Sequence, residues 1–430
     1  MNKIAIIGTG YVGLVTGACF AELGNKVFCV DNDEKKIALL NASKMPIYEP
    51  GLEEIVSRNV KKKNLYFTCN IKKAVKESQI IFIAVGTPPK DDGDADLTSI
   101  ENVSSTIAEN MTSYKLIVEK STVPVETGKW IEHTVKINSK KGVSFDVASN
   151  PEFLREGTAI RDFLNPDRIV IGVSSKKAKD LLLKLYKPIR APKIITDIKS
   201  AELIKHASNS FLATKISFIN AVSKVCDISG ADILKVAEGM GLDKRIGRSF
   251  LDAGLGFGGF CLPKDLDAFV RISDKLGYDF TLLKAVRQIN SDQISDFINK
   301  VRSSVWNIQS KRIGVLGLSF KPGTDDLRFA PSLTIIKKLQ EEGAKIRTFD
   351  PQSMKKAKQI LKGVYFAKDI YDAAKGCDCL LVITEWNEFK ELNFVKLKKI
   401  MKQPLLIDGR NLYDKNALLK IGFKYIGVGR

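Results

Sequence analysis

The sequence has no long apolar run and few cysteine and histidine residues, and these shortages exclude several classes of protein. Apolar runs such as residues 80–85 are far shorter than the roughly 18 residues that cross a membrane. The first residues run directly into a strand-like segment, which leaves no room for a leader peptide. We therefore expect a cytoplasmic protein without a membrane partner.

Cysteine and histidine are too scarce for a disulfide framework or a zinc centre. The 430 residues include seven cysteines, an odd number, and two histidines. Cys377 and Cys379 are too closely spaced for the usual zinc pairs, and only His133 and His206 could complete such a site. We expect reduced thiols and no structural metal.

Acidic residues are outnumbered, and the formal net charge is +19. This charge fits a lysine-rich surface, and it also fits a positive field for phosphate-bearing ligands. The basic runs at 61–63 and 396–399 contain no interleaved aromatic residues. We interpret them as solvated faces and expect no nucleic-acid partner.

The order of apolar patterns predicts an α/β protein. A strand at 3–7, a glycine turn, a helix at 12–23 and a strand at 27–30 form one βαβ unit, and further strands alternate with helices. This predicts an N-terminal Rossmann domain with a parallel, doubly wound sheet, residues 1–197. Long helical periodicity then predicts a central long-helix region, residues 198–306. The strand and glycine turn at 312–318 open a C-terminal Rossmann-like α/β domain, residues 307–430.

The segment Gly8-Thr-Gly-Tyr-Val-Gly13 has the spacing of a dinucleotide-binding turn. It follows a strand, opens a helix, and is followed by Asp31 at the end of the next strand. Gly8 permits the tight turn, Gly10 lets the pyrophosphate approach the backbone, and Gly13 allows close helix packing. Asp31 would bind the ribose hydroxyls and repel a 2′-phosphate. The predicted cofactor is therefore NAD and not NADP.

Two further turns carry hydroxyl groups at the sheet edge where ligands bind. Gly86-Thr87 and Ser121-Thr122 both come directly after predicted strands. The glycine and proline residues in these turns are explained by turn formation alone. The hydroxyl groups favour contact with the cofactor or the substrate.

Cys261 is the residue that separates this chain from an ordinary alcohol dehydrogenase. It lies within Gly-Leu-Gly-Phe-Gly-Gly-Phe-Cys-Leu-Pro-Lys-Asp, residues 254–265. The glycines let a bulky ligand approach the main chain, and Lys264 could favour the thiolate. A thiolate is useful when an aldehyde must be captured and oxidised again. A buried, unreactive cysteine is the alternative, but its neighbours favour a nucleophile.

Two pairs of polar residues could assist this chemistry. Lys205 and Asn209 are four residues apart, so a helix presents both on one face. Periodicity alone favours a solvated helix face there. Glu152 and Glu156 follow a strand and are candidates for activating water or for binding ribose.

Together these segments resemble the UDP-glucose/GDP-mannose dehydrogenase family over nearly the whole chain. The resemblance rests on residues 8–13, 121–124, 150–157, 165–168, 205, 209, 245–247, 254–265 and 319–328. Within the family, 152–158 and 165–168 look most like the UDP-glucose enzymes. The resemblance implies a homodimer formed through the central helices and a C-terminal domain that binds the UDP-sugar.

The resemblance also implies a reaction, in which UDP-glucose is oxidised twice to UDP-glucuronate through a thiohemiacetal and a thioester on Cys261. The implied catalytic residues are Cys261, Lys205, Asn209, Asp265, Thr122, Glu152 and Glu156, and either glutamate could be the base. The implied NAD contacts are Gly8, Gly10, Tyr11, Val12, Gly13, Asp31, Lys36, Gly86, Thr87, Ser121, Thr122, Glu156, Lys264 and Arg328. The implied substrate contacts are Glu152, Phe153, Leu154, Arg155, Glu156, Lys205, Asn209, Arg245, Phe250, Leu251, Asp252, Ala253, Gly254, Gly258, Phe320, Lys321 and Arg410. Arg245 could belong to the site of a second subunit.

Two other functions fit parts of the sequence. A β-hydroxyacid dehydrogenase also joins a Rossmann domain to helices, but it has no use for Cys261 or for a second α/β domain. A basic, NAD-responsive nucleic-acid binder is supported by charge alone.

Overall fold

The protein, seen here in a computed structural model, consists of two compact units. The structure describes residues 1–88, 90 and 94–430. Unit 1 comprises Met1–Ser208 with Asp267–Gly277, and unit 2 comprises Asn209–Leu266 with Tyr278–Arg430. The finer division into three domains at residues 197 and 306 stays a prediction.

Within the described residues, unit 1 contains an eight-stranded sheet. Its strands, in chain order, are β1 (Lys3–Ile7), β2 (Lys26–Val30), β3 (Leu65–Thr68), β4 (Ile80–Ile83), β5 (Lys115–Glu119), β6 (Phe145–Ser149), β7 (Ile169–Val173) and β8 (Lys193–Thr196). Their spatial order is β3-β2-β1-β4-β5-β6-β7-β8. Strands β1 to β6 run parallel to one another, as the βαβ pattern predicts.

One strand pair departs from the predicted all-parallel sheet, because β6 and β7 are antiparallel. The segment between them contains a single short helix of six residues, Ala159–Leu164. A helix of that length spans about 9 Å, whereas a five-residue strand spans about 17 Å. This helix is therefore too short to carry the chain back to the opposite edge of the sheet, as a parallel connection requires. Strand β7 begins at the edge where β6 ends.

Helices cover both faces of this sheet. They are α1 (Tyr11–Glu22), α2 (Glu34–Asn41), α3 (Leu52–Lys61), α4 (Ile71–Glu77), α5 (Thr98–Asn110), α6 (Thr127–Asn138), α7 (Ala159–Leu164) and α8 (Lys176–Leu185). Both faces of the sheet are apolar, as β1 shows: Ile4 and Ile6 belong to one apolar cluster, and Ala5 and Ile7 belong to another. Helices on both sides therefore bury these side chains.

Four helices follow the first sheet in the chain. They are α9 (Ile198–Ser229), α10 (Ile233–Leu242), α11 (Cys261–Lys275) and α12 (Thr281–Ser304). In unit 2, buried residues of α9 and α12, including Ile219, Cys226 and Phe297, pack into the apolar cluster on one face of the second sheet. The central long-helix region is thus confirmed.

Unit 2 ends in a second, parallel sheet, for which the described residues give six strands. These are β9 (Arg312–Leu316), β10 (Lys345–Phe349), β11 (Tyr365–Phe366), β12 (Cys379–Val382), β13 (Leu405–Asp408) and β14 (Lys424–Ile426), in the spatial order β11-β10-β9-β12-β13-β14. Its helices are α13 (Pro331–Glu341), α14 (Met354–Ile360), α15 (Ile370–Ala374), α16 (Asn387–Lys390), α17 (Phe394–Ile400) and α18 (Lys415–Ile421). This strand order is that of a Rossmann fold and confirms the predicted fold class.

Candidate active site

The glycine turn after β1 has the geometry of a dinucleotide-binding turn. Gly8 has φ +99°, a conformation that side chains disfavour. A Cβ at Gly13 would overlap the carbonyl oxygen of Gly8, so helix α1 packs closely against the turn. A Cβ at Gly10 would meet nothing within 4 Å. The residues therefore leave the helix N-terminus open to a pyrophosphate, as NAD requires.

Asp31 lies at the carboxyl end of β2 and closes this turn. Its Oδ2 accepts hydrogen bonds from Thr9 N at 2.9 Å, Thr9 Oγ1 at 2.7 Å and Lys36 Nζ at 2.9 Å. Burial alone would raise the pKa of this carboxyl group, but the hydrogen bonds from Thr9 and Lys36 outweigh it and lower the pKa to about 2. Asp31 is therefore a carboxylate at neutral pH, which suits ribose hydroxyls and opposes a 2′-phosphate.

The turns after β4 and β5 are joined by hydroxyl groups. Thr87 Oγ1 donates to the carbonyl oxygen of Thr122 at 2.9 Å, and Ser121 Oγ donates to that of Val85 at 2.7 Å. The structure thus brings together the two turns that the sequence places at one sheet edge.

Glu152 and Lys205 form a buried ion pair in unit 1. Glu152 Oε1 lies 3.0 Å from Lys205 Nζ, and Glu152 Oε2 accepts from Leu154 N at 2.6 Å. The ring of Phe153 lies against the same ammonium group, 5.4 Å from its centroid. Lys205 and Asn209 are both buried, so the solvated helix face favoured by periodicity alone is wrong.

A cavity of about 370 Å³ borders Glu152 within unit 1. Its wall includes Lys120, a buried lysine directly after β5, and Arg168, whose guanidinium lies 3.9 Å from the centroid of the Phe153 ring. Lys120 was not identified from the sequence, because a lysine after a strand carries no motif of its own.

Glu49 is a second residue that sequence reasoning missed. Its carboxylate accepts from Gly157 N at 2.7 Å and from Ala159 N at 2.8 Å, and it is bonded to the Tyr11 hydroxyl group. Glu49 therefore ties the segment that carries Glu156 to the dinucleotide turn. The stretch Tyr48-Glu49-Pro50-Gly51 was the available signal.

A pair of buried carboxyl groups supports the turn after β5. Glu202 of α9 accepts from Glu126 N and from Gly128 N, both at 2.7 Å, at the start of α6. Burial and the neighbouring Glu202 carboxyl raise the pKa of Glu119 well above its ordinary value, and burial also raises the pKa of Glu202. Since Glu202 has two backbone donors, Glu119 is the protonated member of the pair.

In unit 2, each oxygen of the Asp265 carboxylate accepts a hydrogen bond from a side chain. Asn209 Nδ2 donates to Asp265 Oδ2 at 2.6 Å, and Lys264 Nζ donates to Asp265 Oδ1 at 2.6 Å. Asp265 is buried and lies one helical turn after Cys261, which begins α11. A helix N-terminus stabilises nearby negative charge, and the thiolate is the nucleophilic form of cysteine.

The other cysteines are less suited to nucleophilic chemistry. Cys19, Cys29, Cys226, Cys377 and Cys379 are buried, and burial raises the pKa of Cys19 and Cys29 to about 12. Cys261 and Cys69 are the exposed ones. Both lie near a helix N-terminus, because Cys69 comes just before the N-cap of α4 and Cys261 begins α11. Of the two, Cys261 has the lysine–aspartate pair Lys264–Asp265 next to it in the same helix.

Side-chain amides fix the glycine-rich loop that precedes Cys261. Asn220 Oδ1 accepts from Gly254 N at 2.8 Å, and Gln293 Nε2 donates to Gly254 O at 2.7 Å. Asn290 binds both the N–H and the carbonyl of Phe257, at 2.8 and 3.0 Å. None of the three amides was foreseen, because each contact joins residues far apart in sequence.

The remaining arginines implied by the resemblance occupy different settings in unit 2. Arg328 pairs with Asp326 and lies 4.4 Å from the centroid of the Phe260 ring. Arg410 donates through Nε to the carbonyl oxygen of Ile383 at 2.7 Å. Arg245 is exposed and pairs with Asp243.

The site residues suggested by the sequence form two groups, one in each unit. Unit 1 contains Gly8, Gly10, Tyr11, Val12, Gly13, Asp31, Lys36, Gly86, Thr87, Ser121, Thr122, Glu152, Phe153, Leu154, Arg155, Glu156 and Lys205. Unit 2 contains Asn209, Arg245, Phe250, Leu251, Asp252, Ala253, Gly254, Gly258, Cys261, Lys264, Asp265, Phe320, Lys321, Arg328 and Arg410.

The part of the chain that the structure describes contains neither a metal-binding cluster nor a membrane-spanning helix. Among those residues, no group of three or more histidine, cysteine, aspartate or glutamate side chains is arranged to hold a metal ion. No helix there has the length and apolar character needed to cross a bilayer.

The fold and these side chains define a dinucleotide-dependent oxidoreductase with a candidate cysteine nucleophile. Family models assign it further: the NAD-binding domain of the UDP-glucose/GDP-mannose dehydrogenase family matches residues 2–190, its central domain residues 199–292, and its UDP-binding domain residues 314–415. The chain belongs to the UDP-glucose/GDP-mannose dehydrogenase family.

Individual relatives are similar over the full length. The chain is 50% identical to the UDP-glucose 6-dehydrogenase TuaD of Bacillus subtilis over 431 residues, covering 100% of this chain and 94% of the relative. It is 44% identical to a UDP-glucose 6-dehydrogenase of Rhizobium meliloti, covering 100% and 99%. A solved UDP-glucose dehydrogenase from Pyrobaculum islandicum superimposes with a TM-score of 0.93 at 38% identity, covering 100% and 98%.

Proposed function

We propose that the protein oxidises the C6 alcohol of UDP-glucose to the carboxylate of UDP-glucuronate. One UDP-glucose, two NAD⁺ and one water give UDP-glucuronate, two NADH and three protons. Bound NAD supplies the hydride acceptor in each of the two oxidations. The observation that carries the proposal is the exposed thiol of Cys261 at the start of α11, in a chain of this family.

The first oxidation needs a group that manages the C6 hydroxyl proton. The ammonium of Lys205 and the Asp265 carboxylate are the proposed partners of that oxygen, with Asn209 holding Asp265 in place. Loss of the proton and of a hydride yields an aldehyde. The thiolate of Cys261 then adds to the aldehyde carbon, giving a thiohemiacetal whose oxygen Lys205 stabilises.

The second oxidation converts the thiohemiacetal into a thioester, which water must hydrolyse. We propose that Glu152, supported by Lys205 and by the N–H of Leu154, orients and activates this water, and that Thr122 assists in positioning it. Glu156, on the segment that Glu49 holds, is then left for contact with the cofactor.

The substrate contacts are proposed on the same basis. The backbone of residues 250–254 is fixed by Asn220 and Gln293 and is available to the sugar nucleotide. Lys321, Arg328 and Arg410 supply positive charge for the diphosphates of the substrate or cofactor.

We also propose a homodimer that forms through α9. Phe211, Phe218 and Val225 are spaced seven residues apart on this helix, and they are 64%, 52% and 62% exposed. Such a stripe of large apolar side chains is typical of a helix that packs against a partner.

Phe218→Asp should yield monomers in size-exclusion chromatography with light scattering. Val395→Asp, a change at an exposed apolar residue of α17, should leave the assembly unchanged. A Phe218→Asp protein that stays dimeric contradicts this interface.

The site of action is proposed to be the cytoplasm, where UDP-glucose and NAD are both metabolites.

Counting NADH per substrate tests the main proposal. A limiting amount of UDP-glucose, with excess NAD, should release two NADH per molecule and form UDP-glucuronate. A β-hydroxyacid dehydrogenase would release one NADH from its own substrate. A panel of UDP- and GDP-sugars measured in the same assay tests the choice of hexose, and turnover of none of them overturns the proposal.

A further inference from the structure

Lys120 is a buried lysine close to Glu152 that has no role in the steps proposed above. It follows β5 directly, and its Nζ donates to Asn150 Oδ1 at 3.0 Å and to the carbonyl oxygen of Pro151 at 3.4 Å. These two residues come immediately before Glu152. The same Asn150 Oδ1 also accepts from the Tyr186 hydroxyl at 2.5 Å. Lys120 is thus built into the turn that carries Glu152.

The cavity of about 370 Å³ gives Lys120 and Glu152 a shared volume. Both side chains line it, and a polar space of that size holds several water molecules. Arg155 and Asp167, which are exposed, line it as well, so the cavity reaches the surface of unit 1. Water in the cavity can therefore connect Glu152, Lys120 and bulk solvent.

Two ion pairs lie near Lys120. Glu152 forms its ion pair with Lys205, and Arg155 forms one with Asp162 at 2.6 Å. The other titratable groups on the cavity wall are Arg161, Asp167, Arg168 and Tyr186.

Burial lowers the pKa of the Lys120 ammonium group to about 7; Glu152 opposes this shift, and Lys205 adds to it. An amine of this kind gains and loses a proton readily at neutral pH.

The reaction makes a proton path necessary. Three protons leave per turnover, and the hydrolysis step releases its protons beside Glu152 if the proposed function holds. We propose that Lys120 relays the proton from Glu152, through water in this cavity, to solvent during hydrolysis of the Cys261 thioester. In this relay Lys120 acts through Glu152.

A water O–H bond breaks, the water oxygen bonds to the thioester carbon, and the C–S bond breaks to release the Cys261 thiolate. Glu152 accepts this proton and passes it to the neutral amine of Lys120 through cavity water. The second hydrogen of the water stays on the new carboxyl group, which ionises to the carboxylate and so releases the other proton of this step. The resulting ammonium group then loses the proton to solvent, which regenerates both residues.

Single-turnover kinetics of two variants test this relay. Lys120→Met removes the proton acceptor, whereas Lys120→Arg keeps the positive charge and hydrogen-bonding capacity but cannot release a proton near pH 7. Both variants should form two NADH per site in a burst and then hydrolyse the thioester about 10²-fold more slowly than the unmodified enzyme. Mass spectrometry of the quenched protein should find the thioester accumulated on Cys261.

The pH dependence and chemical rescue separate a relay from a merely structural lysine. Hydrolysis by the unmodified enzyme should accelerate as pH rises through about 7, because Lys120 must be neutral to accept a proton. This dependence should be lost in both variants. Imidazole, which is small enough to enter the cavity of about 370 Å³, should restore hydrolysis in Lys120→Met. Normal hydrolysis by Lys120→Arg, or a slow Lys120→Met enzyme that imidazole does not accelerate, overturns the relay.

Failure of the relay is distinguishable from failure of the proposed function. If the unmodified enzyme yields two NADH and a Cys261 adduct while the variants hydrolyse it normally, the relay alone is wrong. If the unmodified enzyme forms no adduct on Cys261, the proposed reaction itself is wrong, and the role of Lys120 falls with it.

Discussion

Asn209 donates a 2.6 Å hydrogen bond to the buried carboxylate of Asp265, and the other oxygen of that carboxylate is held by Lys264. The amide cannot accept a proton from the carboxylate, so its role is to orient Asp265 and to stabilise its charge. A carboxylate fixed from two sides has little freedom to rotate. This pre-organisation is what a group acting on a substrate oxygen needs.

The Asn209–Asp265 contact predicts strong coupling between the two residues. Asn209→Ala should lower kcat about ten- to a hundred-fold, because it removes a buried hydrogen bond to a charged group. In an Asp265→Asn background the same change should cost much less, because the charge that the amide serves is gone. Steady-state kinetics with UDP-glucose complete the double-mutant cycle. Equal losses in both backgrounds contradict the assigned role.

Cys261→Ser should reduce UDP-glucuronate formation by at least about a thousand-fold, since loss of a nucleophile removes the covalent route. NAD affinity, measured by calorimetry, should stay within about two-fold, because the dinucleotide turn is unaltered. Cys69→Ser is the matched control, since Cys69 is the other exposed cysteine. It should retain full activity. A serine variant at position 261 that still makes UDP-glucuronate at the normal rate excludes an essential role for the Cys261 thiolate.

Asp31 should determine both cofactor affinity and cofactor choice. Asp31→Asn removes a carboxylate whose pKa is about 2, so the Kd for NAD should rise about ten- to a hundred-fold. The preference for NAD over NADP should shrink, because the repulsion of a 2′-phosphate is lost. Asp33→Ala is the control: Asp33 caps α2 through Lys36 N and should affect stability but not NAD binding. Unchanged NAD affinity in Asp31→Asn would place the ribose elsewhere.

How far the sequence predicts the site depends on how local each contact is. Asp31 could be found because its partner Thr9 belongs to a recognised turn only one βαβ unit away. Asp350, after β10, accepts hydrogen bonds from Leu318 N and Ser319 N after β9 in the same way, but no sequence motif identifies it. The indole N–H of Trp386 also donates to the Asp350 carboxylate, at 3.1 Å. Similar backbone architecture therefore arises from a different set of side chains in the second sheet.

Contacts between distant segments are what the sequence could not predict. Glu49 binds Gly157 N although more than a hundred residues separate them, and Lys120 at the end of β5 binds Asn150 at the end of the neighbouring strand β6. Such pairs are determined by strand order and by the antiparallel β6–β7 pair, which hydrophobic periodicity does not reveal. Cys261 could be identified because its environment is local: glycines before it and Lys264-Asp265 directly after it.

The Glu119–Glu202 pair predicts a stability that falls as pH rises. The pKa of Glu119 is raised in the folded protein above its ordinary value of 4.5, so between 4.5 and the folded-state pKa the folded chain holds a proton that the unfolded chain has lost. Folding is then favoured at low pH, and each unit of pH in this window lowers the free energy of unfolding by up to about 1.4 kcal/mol.

Glu119→Gln removes that dependence, because a neutral amide has no proton to lose. The variant should therefore unfold at a higher temperature than the unmodified protein at pH 8, and the difference should narrow towards pH 5. Glu132→Gln, at an exposed position of α6, should show no such trend. If the unfolding temperatures of Glu119→Gln and the unmodified protein differ by the same amount at every pH, Glu119 does not carry the proton.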